Sequence, residues 1–181
     1  MPKTAVIIAD MLNAYDHEDA EPLAESVREV LPCIAKLRDD AAAAADSLTV
    51  YINDNNDQWD VYREEIVEAA LNGEHPDLVE PIAPRDRVPF IVKGRHSIFY
   101  QTAVDHFLRS QDIQRIVLTG QVTEQCILYS ALDAYIRGYE IVVPRDAVAH
   151  IDADLGRAAL AMMESNMHAE IVSAADDRVF T

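Results

Sequence analysis

The chain has 181 residues, half of them hydrophobic, and a formal net charge of −17. This length and composition exclude a disordered chain and support one globular domain over residues 1–181 with a full core. The acidic charge argues against nucleic acid or an anionic membrane as a partner, because both require a basic surface.

The cysteine content and the hydropathy pattern indicate the cellular compartment. Two cysteines, Cys33 and Cys126, do not make a disulfide framework. No apolar run approaches the ~20 residues of a membrane span, and the N-terminal segment lacks the apolar core of a signal peptide. We therefore expect a cytoplasmic protein.

Strand-like and helix-like segments alternate along the whole chain. The first predicted strand is continuously apolar, as in a parallel strand that is buried on both faces. A break or kink is expected near Pro32. We predict strands over 4–9, 48–52, 87–92, 115–118, 139–143 and 169–172, and helices over 21–45, 61–71, 102–109, 124–137 and 152–166. This alternation predicts a three-layer α/β/α fold with a parallel sheet.

Three reactive side chains follow predicted strands. Asp10 comes after the first strand, Lys93 after the third, and Cys126 after the turn that leaves the fourth. Ligands of such sheets bind beyond the carboxyl ends of the strands. A helix N-terminus at Cys126 would favour a thiolate and offer N–H groups to an oxyanion. Alternatively, Asp10 and Lys93 are capping or solvated residues and Cys126 is a buried hydrophobe.

Three separated segments resemble the isochorismatase-like cysteine hydrolases, the superfamily of nicotinamidases, N-carbamoylsarcosine amidohydrolases and isochorismatases. The resemblance implies a six-stranded parallel sheet in the order 3-2-1-4-5-6. It also implies that Cys126 is the nucleophile, Asp10 the general base, and Lys93 the group that stabilises charge and keeps Asp10 ionised. The matching segments read AVIIADM at 5–11, VKGRHSIFYQT at 92–102 and TGQVTEQC at 119–126.

The same resemblance implies further features of the site. A cis peptide is expected between Gln121 and Val122, with the N–H groups of Val122 and Cys126 forming an oxyanion hole. Thr123 would be the N-cap of the next helix. The implied activity is hydrolysis of a C–N bond in a small amide or ureide through a Cys126 thioester, by a homodimer or homotetramer.

The chain departs from its relatives where some of them bind a metal. Nicotinamidases use an Asp-x-His pair after the second strand and another histidine, whereas Asn56 occupies the place of the first histidine here. His75 alone does not restore a ligand set, so we expect neither a metal nor another cofactor. Two alternatives stay open: vinyl ether hydrolysis of the isochorismatase type, which typically lacks the cysteine, and a non-catalytic small-molecule binding protein.

Substrate-binding candidates come from the loops near the strand ends. The aromatic members could equally pack in the core. Arg95 and His96 could bind a substrate carboxylate or face solvent, and the polar run 53–57 could line the pocket or form a turn. The candidates are Tyr15, Asn53, Trp59, Phe99, Gln121 and Thr123, with Tyr129 as a further possible pocket wall.

Overall fold

The computed structural model describes residues 3–55, 57–85 and 87–181. Its centre is a parallel sheet with the strand order β3-β2-β1-β4-β5-β7, and the two-residue strand β6 pairs with β4. The strands are β1 (Lys3–Ala9), β2 (Ser47–Asp54), β3 (Phe90–Lys93), β4 (Ile113–Gln121), β5 (Glu140–Pro144), β6 (Val148–Ala149) and β7 (Glu170–Val172).

Helices cover both faces of the sheet. Alternate side chains of β1 enter two separate apolar cores, with Val6 and Ile8 on one face and Ala5 and Ile7 on the other. The first core is closed by α1 (Ala20–Ala43), α2 (Arg63–Leu71) and α3 (Pro76–Val79), and the second by α4 (Val104–Ser110), α5 (Leu128–Ile136) and α6 (Ala153–Met167). Burial on both faces explains why β1 is continuously apolar.

The predicted three-layer fold and strand order are confirmed, since the predicted sixth strand is β7 and the short β6 is an addition. The third strand begins at Phe90 rather than at residue 87. Pro89 has no N–H to donate to a ladder, so it contributes only its carbonyl oxygen, which accepts from the N–H of Tyr51 directly before β3 begins. The expected break at Pro32 does not occur, because the buried residues Leu31, Ile34 and Leu37 hold α1 continuous against the core.

The predicted helix over 124–137 is two elements. Thr123–Ile127 forms a π-helical segment, and α5 follows from Leu128 to Ile136. Asp152 is the N-cap of α6, since its side chain accepts hydrogen bonds from the backbone N–H groups of Asp154 and Leu155. None of the helices in 3–55, 57–85 and 87–181 is long and apolar enough to cross a membrane.

Gly120 allows β1 and β4 to approach closely at the carboxyl edge of the sheet. Its φ is +106°, and a Cβ there would lie 2.1 Å from the carbonyl oxygen of Ala9. Ala9 is its partner in the β1–β4 ladder and directly precedes Asp10. A glycine at this position therefore brings the end of β1 against the end of β4.

This close approach predicts that Gly120→Ala lowers the free energy of unfolding by about 3 kcal/mol or more, since backbone strain and overpacking both contribute. Gly138→Ala is the matched control, because Gly138 also has a positive φ but no atom lies within 4 Å of its would-be Cβ. We expect the control to lose only about 1 kcal/mol. Urea denaturation measures both values, and equal losses would contradict the close approach.

Candidate active site

Asp10, Lys93 and Cys126 converge at the carboxyl edge of the sheet. The Lys93 Nζ atom lies 2.9 Å from Asp10 Oδ2 and 3.5 Å from Cys126 Sγ. The Lys93 side chain is fully buried, and 12% of the Asp10 side chain is exposed. The three residues predicted from separate strand ends therefore form one cluster of a thiol, a carboxylate and an ammonium group.

The backbone of neighbouring strands fixes the position of Asp10. Its N–H donates to the carbonyl oxygen of Ile52, and its Oδ1 accepts from the N–H of Asp54 at 2.8 Å. Asp10 has a φ of +55°, a left-handed conformation that aspartate tolerates better than most residues. These bonds hold the carboxylate at the point where β1 ends and the following loop begins, and its Oδ2 atom faces Lys93.

Cys126 lies inside the π-helical segment Thr123–Ile127 rather than at the first turn of a regular helix. The peptide between Gln121 and Val122 is cis, as the resemblance implied. The prediction that Thr123 is an N-cap is wrong, because Val122 occupies that position and the segment has no side-chain cap. The Thr123 hydroxyl instead donates to the carbonyl oxygen of Ala149 in β6, which ties the segment to the sheet.

Burial and mutual charge determine the protonation of the cluster. Burial raises the pKa of Cys126, and Asp10 raises it further while Lys93 opposes both. Burial also raises the pKa of Asp10, again against Lys93. For Lys93, burial lowers the pKa, but Asp10, Cys126 and Asp54 outweigh it and hold the pKa above its ordinary value. The resting site therefore favours a thiol beside a carboxylate, not the preformed thiolate that a helix N-terminus would favour.

Three of the predicted substrate-binding residues form hydrogen bonds that hold Asp10 and the loop after it in place. Asn53 is buried, accepts from the N–H of Leu12 and donates to the Leu12 carbonyl, so it anchors the loop after Asp10. Gln121 donates to the Asp10 carbonyl oxygen at 2.6 Å and accepts from the Tyr15 hydroxyl. Tyr15 is itself 1% exposed. The structure thus uses these side chains to position Asp10.

The other two aromatic candidates differ in environment. Trp59 is 81% exposed and borders a cavity of about 370 Å³ together with Asn55, Arg95 and Tyr100. Within the described part of the chain, Lys93 also borders this cavity, whereas Asp10 and Cys126 do not. Phe99 is 4% exposed and stacks on Tyr139 in the core, so it is a packing residue.

The polar run after β2 is divided between the cluster, the cavity and the surface. Asp54 ends β2 in register with Lys93, and its Oδ2 lies 3.6 Å from Lys93 Nζ. Asp57 pairs with Arg95 at 3.8 Å on the surface. The sequence reasoning missed Asp54, although the rule that selected Asp10 and Lys93 at strand ends would also have selected it. Asn56, the position of the missing histidine, lies outside the described residues.

The residues present do not fit the metal site of nicotinamidases. Asp54 faces Lys93, and His75 is bound at the surface by Glu21 at 2.9 Å and by Arg28 at 3.2 Å. Among residues 3–55, 57–85 and 87–181, no group of three or more His, Cys, Asp or Glu side chains could hold a metal ion. We derive no step through a metal.

His96 contacts the cysteine, which its sequence position did not reveal. Its Nδ1 lies 3.6 Å from Cys126 Sγ, and its ring stacks on Tyr129 at 5.6 Å between centroids. Tyr129 is 48% exposed and Arg95 is also exposed. Of the two residues proposed for a substrate carboxylate, Arg95 thus borders the cavity and His96 faces the thiol.

Comparisons with known proteins show the family of the chain. The family model for the isochorismatase domain matches residues 4–176. The chain is 33% identical over 169 residues to the uncharacterized isochorismatase family protein YaaI of Bacillus subtilis, covering 93% of each chain. It is 27% identical to the ureidoacrylate amidohydrolase RutB of Rhizobium rhizogenes, over 84% of this chain and 72% of that protein.

A solved structure is similar in both fold and sequence. The cysteine hydrolase from Pseudomonas syringae pv. phaseolicola superimposes with a TM-score of 0.74 and 26% identity, covering 96% of this chain and 89% of that one. The family match spans every strand of the sheet and all three residues of the cluster. The chain belongs to the isochorismatase family of hydrolases.

Proposed function

We propose that this protein is a metal-independent cysteine hydrolase that cleaves a C–N bond in a small amide or ureide through a thioester on Cys126. One observation carries the proposal, namely the contact of Lys93 Nζ with both Asp10 Oδ2 and Cys126 Sγ in a buried cluster. The name of one relative, a ureidoacrylate amidohydrolase, supports the bond type, and the name of a structural neighbour, a cysteine hydrolase, supports the nucleophile.

The first half-reaction forms the thioester. Asp10 accepts the proton of the Cys126 thiol, and the sulfur attacks the carbonyl carbon of the substrate. The Lys93 ammonium stabilises the negative charge that passes between carboxylate and sulfur. When the C–N bond breaks, Asp10 returns the proton to the leaving nitrogen, so ammonia or an amine departs neutral.

The second half-reaction removes the acyl group. Asp10, ionised again, accepts a proton from a water molecule that attacks the thioester carbonyl. The C–S bond breaks, its electron pair returns to the sulfur, and Asp10 passes the proton back to Cys126. We assign the oxyanion of both tetrahedral intermediates to the N–H groups of Val122 and Cys126, which replace a metal as the group that polarises the carbonyl.

The cavity beside Lys93 suits the part of the substrate that does not react. It combines the aromatic surfaces of Trp59 and Tyr100 with amide side chains such as Asn55 and with the exposed guanidinium of Arg95. A volume of about 370 Å³ matches a small molecule rather than a peptide or a polymer. We therefore propose that the substrate is a small polar compound with a planar portion.

Cys126→Ala is expected to reduce ammonia release from a screened panel of amides and ureides by roughly a thousandfold or more, because no other group can form the thioester. Cys33→Ala is the matched control, since Cys33 is the other free thiol and lies on α1. Circular dichroism confirms that both variants fold. Retained ammonia release by Cys126→Ala would contradict the thioester mechanism. No ammonia release by the parent protein from any compound would favour one of the two alternatives, and product analysis with isochorismate would separate a vinyl ether hydrolase from a binding protein.

Asp10→Asn is expected to separate thiol ionisation from catalysis. The Asp10 carboxylate raises the pKa of Cys126, so the neutral amide lowers it and increases the thiolate fraction. Turnover nevertheless falls by about 10²- to 10⁴-fold, because the base is lost. Thiolate ultraviolet absorbance against pH, recorded in the Cys33→Ala background, measures ionisation. A raised thiol pKa, or turnover close to that of the parent, would contradict the role of Asp10.

The base acts only when it is ionised, so activity falls as the pH drops through the pKa of Asp10. Because that pKa is raised, we expect this acid limb of the pH profile to lie at higher pH than an ordinary aspartate would give. Lys93 lowers that pKa, so Lys93→Met raises it further and shifts the acid limb of the residual activity to higher pH. The pH profile of kcat/KM measures the shift. An acid limb that stays in place or moves to lower pH would show that Lys93 does not control Asp10.

A further inference from the structure

His96 and Lys93 reach the Cys126 sulfur from different environments. Lys93 Nζ lies 3.5 Å from Sγ and belongs to a side chain with no exposed surface. His96 Nδ1 lies 3.6 Å from the same atom, and His96 is an exposed residue. The sulfur thus lies between the ammonium group of a fully buried side chain and the imidazole of an exposed residue.

Packing, rather than chance side-chain placement, holds the imidazole there. Its ring stacks on that of Tyr129 with an angle of 21° between the planes. Tyr129 follows Cys126 by three residues, so both side chains lie on the same side of the helical segment. The π-helical segment therefore supplies the sulfur, and the first turn of α5 directly after it supplies the aromatic surface that holds the imidazole.

The chain directly after His96 is also anchored to α5. The Ser97 hydroxyl donates to the Asp133 carboxylate, and the N–H of Ile98 donates to the Ser130 hydroxyl at 3.1 Å. Ser97 and Ile98 are both buried. These bonds fix the backbone next to His96 relative to the helix that follows Cys126.

The charge balance of the cluster shows why a second donor is useful. Lys93 contacts Asp10 Oδ2 at 2.9 Å and Asp54 Oδ2 at 3.6 Å, so its single positive charge is shared between two carboxylates and the sulfur. Burial opposes ionisation of the thiol. A hydrogen bond to a charged sulfur in such a site is stronger than one between neutral groups.

We propose that His96 is a fourth catalytic residue, which donates a hydrogen bond from Nδ1 to the Cys126 thiolate in both half-reactions. In the first, the thiol proton goes to Asp10 and the charge left on sulfur is stabilised by Lys93 and His96 until the C–S bond forms. In the second, the electron pair of the breaking C–S bond returns to sulfur beside the same two donors. No proton is transferred to or from His96.

This inference rests on the proposed function of Cys126, but its test requires no substrate. In the Cys33→Ala background, iodoacetamide alkylation reports the reactivity of Cys126, and thiolate absorbance against pH reports its pKa independently of access. We expect His96→Ala to slow alkylation by about tenfold or more and to shift the thiol pKa upwards by about one unit. His96→Asn should recover most of both values, because its amide nitrogen can occupy the place of Nδ1.

A control variant tests the geometry. His96→Gln places its amide nitrogen near the position of Nε2 and should recover less than His96→Asn. An unchanged thiol pKa in His96→Ala, a lowered one, or equal recovery by Gln and Asn would overturn the proposal. Loss of turnover in Cys126→Ala with no effect of His96→Ala would refute only the proposed role of His96. Retained turnover in Cys126→Ala would refute the assignment of Cys126 as the nucleophile.

Discussion

The buried ion pair between Lys93 and Asp10 is the constraint on which the site depends. An unpaired charge in this position would cost several kcal/mol, so each of the two side chains stabilises the charged form of the other. The 2.9 Å contact between Lys93 Nζ and Asp10 Oδ2 requires β3 and β1 to end at the same edge of the sheet, although β2 lies between them. The sheet therefore has to form in its correct register before the cluster exists.

The ion pair also determines what the thiol can do. Asp10 opposes ionisation of Cys126 and at the same time is the group that can remove its proton. In the proposed mechanism, the thiol therefore stays protonated until a carbonyl is in place to accept the negative charge. Reactivity then depends on the movement of one proton over a short distance, and not on a thiolate that is present at all times.

The sequence predicted the parts of this structure that follow from periodicity and strand ends. The alternation of apolar strands and helices gave the layers, and Asp10 and Lys93 were found because each follows a strand. Residue type alone could not separate Trp59, which is exposed beside a cavity, from Phe99, which is stacked in the core. Nor could it reveal that Thr123 bonds to Ala149. These outcomes depend on contacts between segments distant along the chain.

The environment of His96 also could not be predicted from its residue type, and it affects the site. It follows Lys93 by three positions, yet the Lys93 side chain is fully buried and His96 is an exposed residue beside the same sulfur. The tight turn after β3 makes this possible, because it returns the chain to α5 within a few residues. The end of β3 and the loop after it thus place an ammonium group and an imidazole beside the same sulfur. In the proposed mechanism, these two donors stabilise the charge on sulfur, while the N–H groups of Val122 and Cys126 stabilise the charge on the carbonyl oxygen.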